Sequence, residues 1–124
     1  MKPHFEPGRN IAMKVPVHEY EATVAFYRDI LGLKTVVSAH SEQNTSSRFE
    51  FGDKILWVDS VQGISQAEIW LEVVTREIAQ ASEYLAGHRC VRCDEIEPLP
   101  DGMAAFWLSS PANIIHLVCE SDEV

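Results

Sequence analysis

Cysteine is scarce in this chain, which has three, Cys90, Cys93 and Cys119. Three cannot all pair internally, so no disulfide framework is implied and a reducing compartment is expected. Long apolar runs are missing too, although hydrophobic residues make up 46% of the sequence. No stretch approaches the roughly 20 residues of a membrane span, and the opening MKPHFEPGRN has no apolar signal-peptide core. A cytoplasmic location with no membrane partner is therefore expected. Basic residues are few, ten against nineteen acidic, and the net charge of −9 repels nucleic acid and anionic lipid. Beyond solubility, that charge favours cationic or neutral ligands. At 124 residues the chain holds one domain's worth of core.

What is present is ordered punctuation. The segment Asn10 to Leu33, NIAMKVPVHEYEATVAFYRDILGL, begins as a period-two strand. From Glu19 to Leu31 it turns helical: Tyr20, Val24, Tyr27 and Leu31 share a face that Thr23, Phe26 and Ile30 widen, and Gly32 stands where a left-handed C-cap is wanted. Strands come next near Lys34 to Ala39, Ser47 to Phe51 and Lys54 to Val61, with Ser41 to Ser46 as a polar turn. A break at Gln62 to Gln66 precedes the same order again. The second half predicts a strand at Glu68 to Val73, a helix from Arg76 to Ala86 closed by Gly87, and strands near Cys90 to Ile96, Met103 to Leu108 and Asn113 to Cys119. Pro98, Pro100, Asp101 and Gly102 supply a turn. Neither half buries enough alone, so the two are expected to pack together.

Alternation assigns the strand faces. Ile11, Met13 and Val15 point to the helix side, and Asn10, Ala12 and Lys14 away from it. In the strand from Glu68, residues Ile69, Leu71 and Val73 take the helix side, leaving Glu68, Trp70 and Glu72 on a face too polar for a core. His116 travels with Ile114 and Val118. The cluster His88-Arg89-Cys90-Val91-Arg92-Cys93 holds half of a zinc-knuckle pattern, but no second Cys or His pair lies at suitable spacing and the segment reads as a strand. His4, His18 and His40 fall in loops or at the terminus.

The phrase FYRDILGL after a strand, with the closing SPANIIHLV, resembles the vicinal oxygen chelate superfamily, which contains glyoxalase I, bleomycin-resistance proteins, fosfomycin-resistance proteins and extradiol dioxygenases. The resemblance runs from Asn10 to Glu120. It implies an α+β fold of two βαβββ modules, at about 8–62 and 67–120, forming a curved mixed sheet with an internal cleft and helices outside. SPANIIHLV resembles the family's Asp-Pro-x-Gly-Asn stretch, with Ser110 in place of the aspartate and the glycine missing. In metal-dependent members two inward positions per module hold a divalent ion, and laid on this sequence they are Asn10, Trp57, Glu68 and His116. Glu68 and His116 are ordinary ligands and the catalytic candidates, Asn10 is a poor ligand, and Trp57 is none. A shift of two residues would bring Asp59 to the place of Trp57.

The expected cleft thus contains Asn10, Lys14, Trp57, Glu68, Trp70, Glu72 and His116, with Asn10, Lys14, Trp57, Trp70 and Glu72 binding ligand. The resemblance leads to two function classes. One is a binder of a small aromatic or cationic molecule similar to bleomycin-resistance proteins, with no metal or other cofactor. The alternative is a metal-dependent lyase, isomerase or dioxygenase of the glyoxalase type, with a divalent metal held by Glu68 and His116. A homodimer is expected, since family members of this length complete or shield their clefts with a second chain.

Overall fold

A computed structural model describes residues 2–36 and 45–122 of the chain, which is of the α+β class and divides into two compact units. One unit is Arg9–Trp70 and the other joins Met1–Gly8 to Leu71–Val124.

In the first unit, β1 (Glu6–Pro16) leads through a 3-10 turn, Val17–Glu19, into α1 (Tyr20–Ala25) and a wide turn at Phe26–Ile30. Strands β2 (Ser46–Phe51) and β3 (Lys54–Val61) come after it. β3 pairs antiparallel with β2 and parallel with β1, giving the order β2-β3-β1. Val24 of α1 packs on Val15, Phe49, Leu56 and Val58, so odd positions of β1 face the helix as alternation requires. The helix end departs from the expected stripe. Leu31 donates to the Phe26 carbonyl at 2.9 Å, one residue beyond the α-helical partner, and this extra residue rotates the chain beyond it. Ile30 and Leu31 are exposed, as is Phe26 at the start of the turn, and Leu33 packs against the core instead. Leu33 donates to the Tyr27 carbonyl at 2.9 Å and Gly32 sits at φ 72°, the left-handed cap that the glycine signalled. Of the strand expected at Lys34 to Ala39, only a bridge from Thr35 to Phe49 is described; its end, most of the Ser41 to Ser46 turn and His40 lie outside the described residues.

The second unit repeats the plan. It has β4 (Glu68–Thr75, from Leu71), α2 (Ile78–Ala86), β5 (Val91–Arg92), a 3-10 turn at Asp94–Ile96, β6 (Ala105–Ser109) and β7 (Ile115–Glu120), ordered β4-β7-β6-β5. Strands β4 and β7 are parallel and the rest antiparallel. With the Thr35 bridge to Phe49 in the place that β5 takes beside β6, both units run in the same order, which makes the halves pseudo-equivalent. Ala81 packs on Phe106, Leu108 and Val118. α2 is shorter than expected and Gly87 lies at φ −80°; it is Arg89, at φ 66°, that turns left-handed. Leu71, expected on the covered side, is 38% exposed.

Candidate functional site

The face of the first unit turned away from α1 can be built from register. Three rows cross it: Glu50, Ile55 and Asn10; Arg48, Trp57 and Ala12; Ser46, Asp59 and Lys14. The two-residue hairpin after Phe51, with Gly52 at φ 66°, fixes these rows by pairing Phe51 with Lys54.

Two networks lie on this face. Lys14, 5% exposed, donates from Nζ to Asp59 Oδ2 at 2.8 Å. Ser46 donates to the other oxygen of Asp59 at 2.5 Å, and the Lys14 ammonium stands 4.4 Å from the Trp70 ring centroid. Trp70 in turn donates its indole N–H to Glu68 at 3.2 Å. In the second network the Trp57 indole donates to Asn10 Oδ1 at 2.7 Å, and the Arg48 guanidinium lies 4.8 Å from the Trp57 ring centroid. A buried charge needs a partner, and Lys14 has one at close range. Asn10, Lys14, Trp57, Glu68 and Trp70 are thus all engaged within one unit. Sequence reasoning missed Arg48 and Ser46, although counting back from the Gly52 hairpin would have placed both beside Trp57 and Asp59.

Glu72 belongs to the second unit. It accepts a long contact of 3.8 Å from the Cys119 thiol. Burial, and then the carboxylate beside it, push that thiol up to about 12. Gly8 explains how Glu72 fits: a Cβ there would stand 2.7 Å from the Glu72 Cβ and nearer still to its Cγ and Oε1, so only glycine allows the approach.

His116 corrects the expected set. It pairs with Leu71 on β4 and with Leu108 on β6, and Leu108 and Val118 pack under α2. His116 therefore lies on the helix side, while Glu72 pairs with Leu117 on the other face. The cause is legible in the motif. Asn113 sits at φ 62°, doing the left-handed work of the family's glycine one place earlier than the alignment assumed. Leu117 then takes the inward position, because a one-residue slip inverts every side chain. His116 instead donates from Nδ1 to its neighbour's carbonyl, Ile114 O, at 3.0 Å.

These residues do not fit a divalent ion. The Asn10 oxygen accepts from Trp57, Trp57 offers no lone pair, Asp59 is held by Lys14 and Ser46, and His116 faces the helix side. Among the described residues no group of three or more His, Cys, Asp or Glu could hold a metal. None of the described helices is long and apolar enough to cross a membrane.

Comparison with solved structures defines the class: the chain has the fold of the glyoxalase/bleomycin resistance protein/dioxygenase superfamily, the vicinal oxygen chelate fold. A superfamily member from Vibrio splendidus 12B01 is 11% identical, with a TM-score of 0.59 over 94% of this chain and 100% of that one. A hypothetical protein from Bacillus halodurans C-125 is 15% identical, with a TM-score of 0.63 over 97% and 96%. The Mn(II)-bound glyoxalase from Novosphingobium aromaticivorans is 20% identical, with a TM-score of 0.60 over 90% of this chain and 38% of that one. A homoprotocatechuate 2,3-dioxygenase from Brevibacterium fuscum is 16% identical, with a TM-score of 0.62 over 96% and 33%. The chain thus spans little more than a third of the glyoxalase and a third of the dioxygenase. At such identities the likeness is one of fold. No protein-family model matches the sequence, and no curated protein matches it.

Proposed function

We propose that this protein binds a small organic molecule, in the manner of the bleomycin-resistance members of its fold class, without a complete metal site. One observation carries the reading. At the two first-unit positions where metal-dependent members hold ligands, this chain has Asn10 and Trp57 bonded to each other at 2.7 Å. That bond engages the Asn10 oxygen, the one acceptor either side chain could bring to an ion, in a contact that orients an indole, and Trp57 itself offers an ion no lone pair. Two tryptophans set among anchored polar groups are what an organic ligand meets in a binding face: flat apolar area with a few fixed donors.

The test is a titration. Replacing Trp57 or Trp70 by alanine is expected to weaken binding of a naphthalene-ring probe about tenfold or more, since a stacked aromatic contact contributes about 0.5–1.5 kcal/mol beyond its buried area. Unchanged binding in both variants, measured by calorimetry, would place the ligand elsewhere.

A further inference from the structure

We propose that Arg48 is the recognition point for a carboxylate, so that the ligand is a flat organic acid and not a cation; this deepens the binding reading above and rests on it. The sequence pointed the other way, towards a cation drawn to tryptophan beside acidic residues. In the structure both tryptophan rings, and Asp59, already have a cation from the chain. Lys14 stands over Trp70 and pairs with Asp59, and Arg48 stands over Trp57. A ligand cation would have to displace a side chain tethered at high effective concentration.

Arg48 has the chemistry for an anion. Its guanidinium lies 4.8 Å from the Trp57 ring centroid and makes no side-chain hydrogen bond or ion pair among the described residues, so its N–H fork is able to meet a carboxylate with two parallel hydrogen bonds. Trp57 is itself anchored through its N–H to Asn10, so the ring under Arg48 is fixed. Ala12, on the other side of Trp57 in the same row, is the smallest side chain of the three rows. Three carboxylates share the face, and one of them, Glu68, accepts from the Trp70 indole. Asp59 is already met by Lys14 and Ser46, and Glu50, two residues along β2, makes no ion pair with Arg48 among the described residues.

The experiment compares 2-naphthoate with 2-naphthylmethylammonium, which carry the same ring and opposite charges, by calorimetry on the full chain at neutral pH. The acid is expected to bind the tighter, and Arg48→Gln to weaken it by about 10- to 100-fold while leaving the ammonium unchanged or improved. Arg48→Lys, which keeps the charge but not the fork, is expected to recover only part of the loss. Near-ultraviolet circular dichroism and the urea midpoint establish that each variant is folded, and Arg48→Lys carries the comparison if Arg48→Gln is not. Tighter or equal binding of the ammonium, or acid binding that is indifferent to Arg48, overturns this inference and leaves small-molecule binding standing. Failure of both probes to bind overturns both.

Discussion

Removing the Asp59 carboxylate is the most informative change to make in the first unit. Lys14 Nζ and Asp59 Oδ2 are 2.8 Å apart, so at an effective dielectric of about 20 their gross attraction is about 6 kcal/mol. Taking both groups out of water offsets most of that, and the Lys14 side chain is 6% exposed against 19% for Asp59. Deleting one partner strands the other, at a typical cost of about 3–5 kcal/mol. Asp59→Ala keeps the Trp70 ring over the ammonium and opens the site somewhat to water, so the lower end, about 3 kcal/mol, is expected. Against a total stability of about 5–15 kcal/mol this is large, and with a urea slope of about 2 kcal/mol/M the midpoint falls by about 1.5 M. The double variant Lys14→Met/Asp59→Leu removes both charges and should recover most of the loss, because no unpaired charge remains. Urea denaturation of the single and double variants measures the coupling directly. A loss below about 1 kcal/mol for Asp59→Ala would mean that the pair behaves as a surface ion pair and that Lys14 is not buried as described.

Further expectations concern the second unit. Asn113→Val is expected to lower stability by about 1–2 kcal/mol and Asn113→Gly to leave it level or slightly higher, because φ 62° is strained for a β-branched residue and open to glycine; thermal or urea melts decide it. Gly8→Val should destabilise more than a surface change would, by driving a side chain into Glu72, whereas Gly8→Val combined with Glu72→Ala should regain part of the loss. The Cys119 thiol is raised from 9.0 to about 12 in the folded protein, so its contribution to stability is complete below pH 9 and is lost as pH climbs from 9 towards 12. Urea midpoints measured from pH 8 upwards should therefore fall more steeply in the parent protein than in Cys119→Ala, and equal slopes would contradict the buried, acid-paired thiol.

The parts of the fold that were legible were those punctuated by backbone chemistry. Gly32 ended the first helix at a positive φ, and alternation in NIAMKV put Asn10 and Lys14 opposite the residues that pack on α1. Illegible parts were those where one residue changes the count. The widened turn at Phe26–Ile30 carried Leu31 off the core, and no composition signal marks such a turn. Asn113, taking the glycine's left-handed role, moved His116 to the helix side and brought Leu117 inward. Asparagine is the side chain, after glycine, that visits that region most readily, so the slip was written in the sequence but only backbone geometry could choose between the two alignments. The cations already on the first-unit face were illegible for another reason. Counting tryptophans and carboxylates omits the chain's own cations, and Lys14 and Arg48 were already in place.

Metal content tests the central claim most directly. Protein purified without chelators and analysed by plasma mass spectrometry is expected to carry far less than one equivalent of zinc, nickel, manganese or iron, and Glu68→Ala and His116→Ala are expected to leave that figure unchanged. One equivalent of a divalent metal that copurifies with the parent protein and is lost in either variant would contradict the account and put a metal-dependent enzyme in its place.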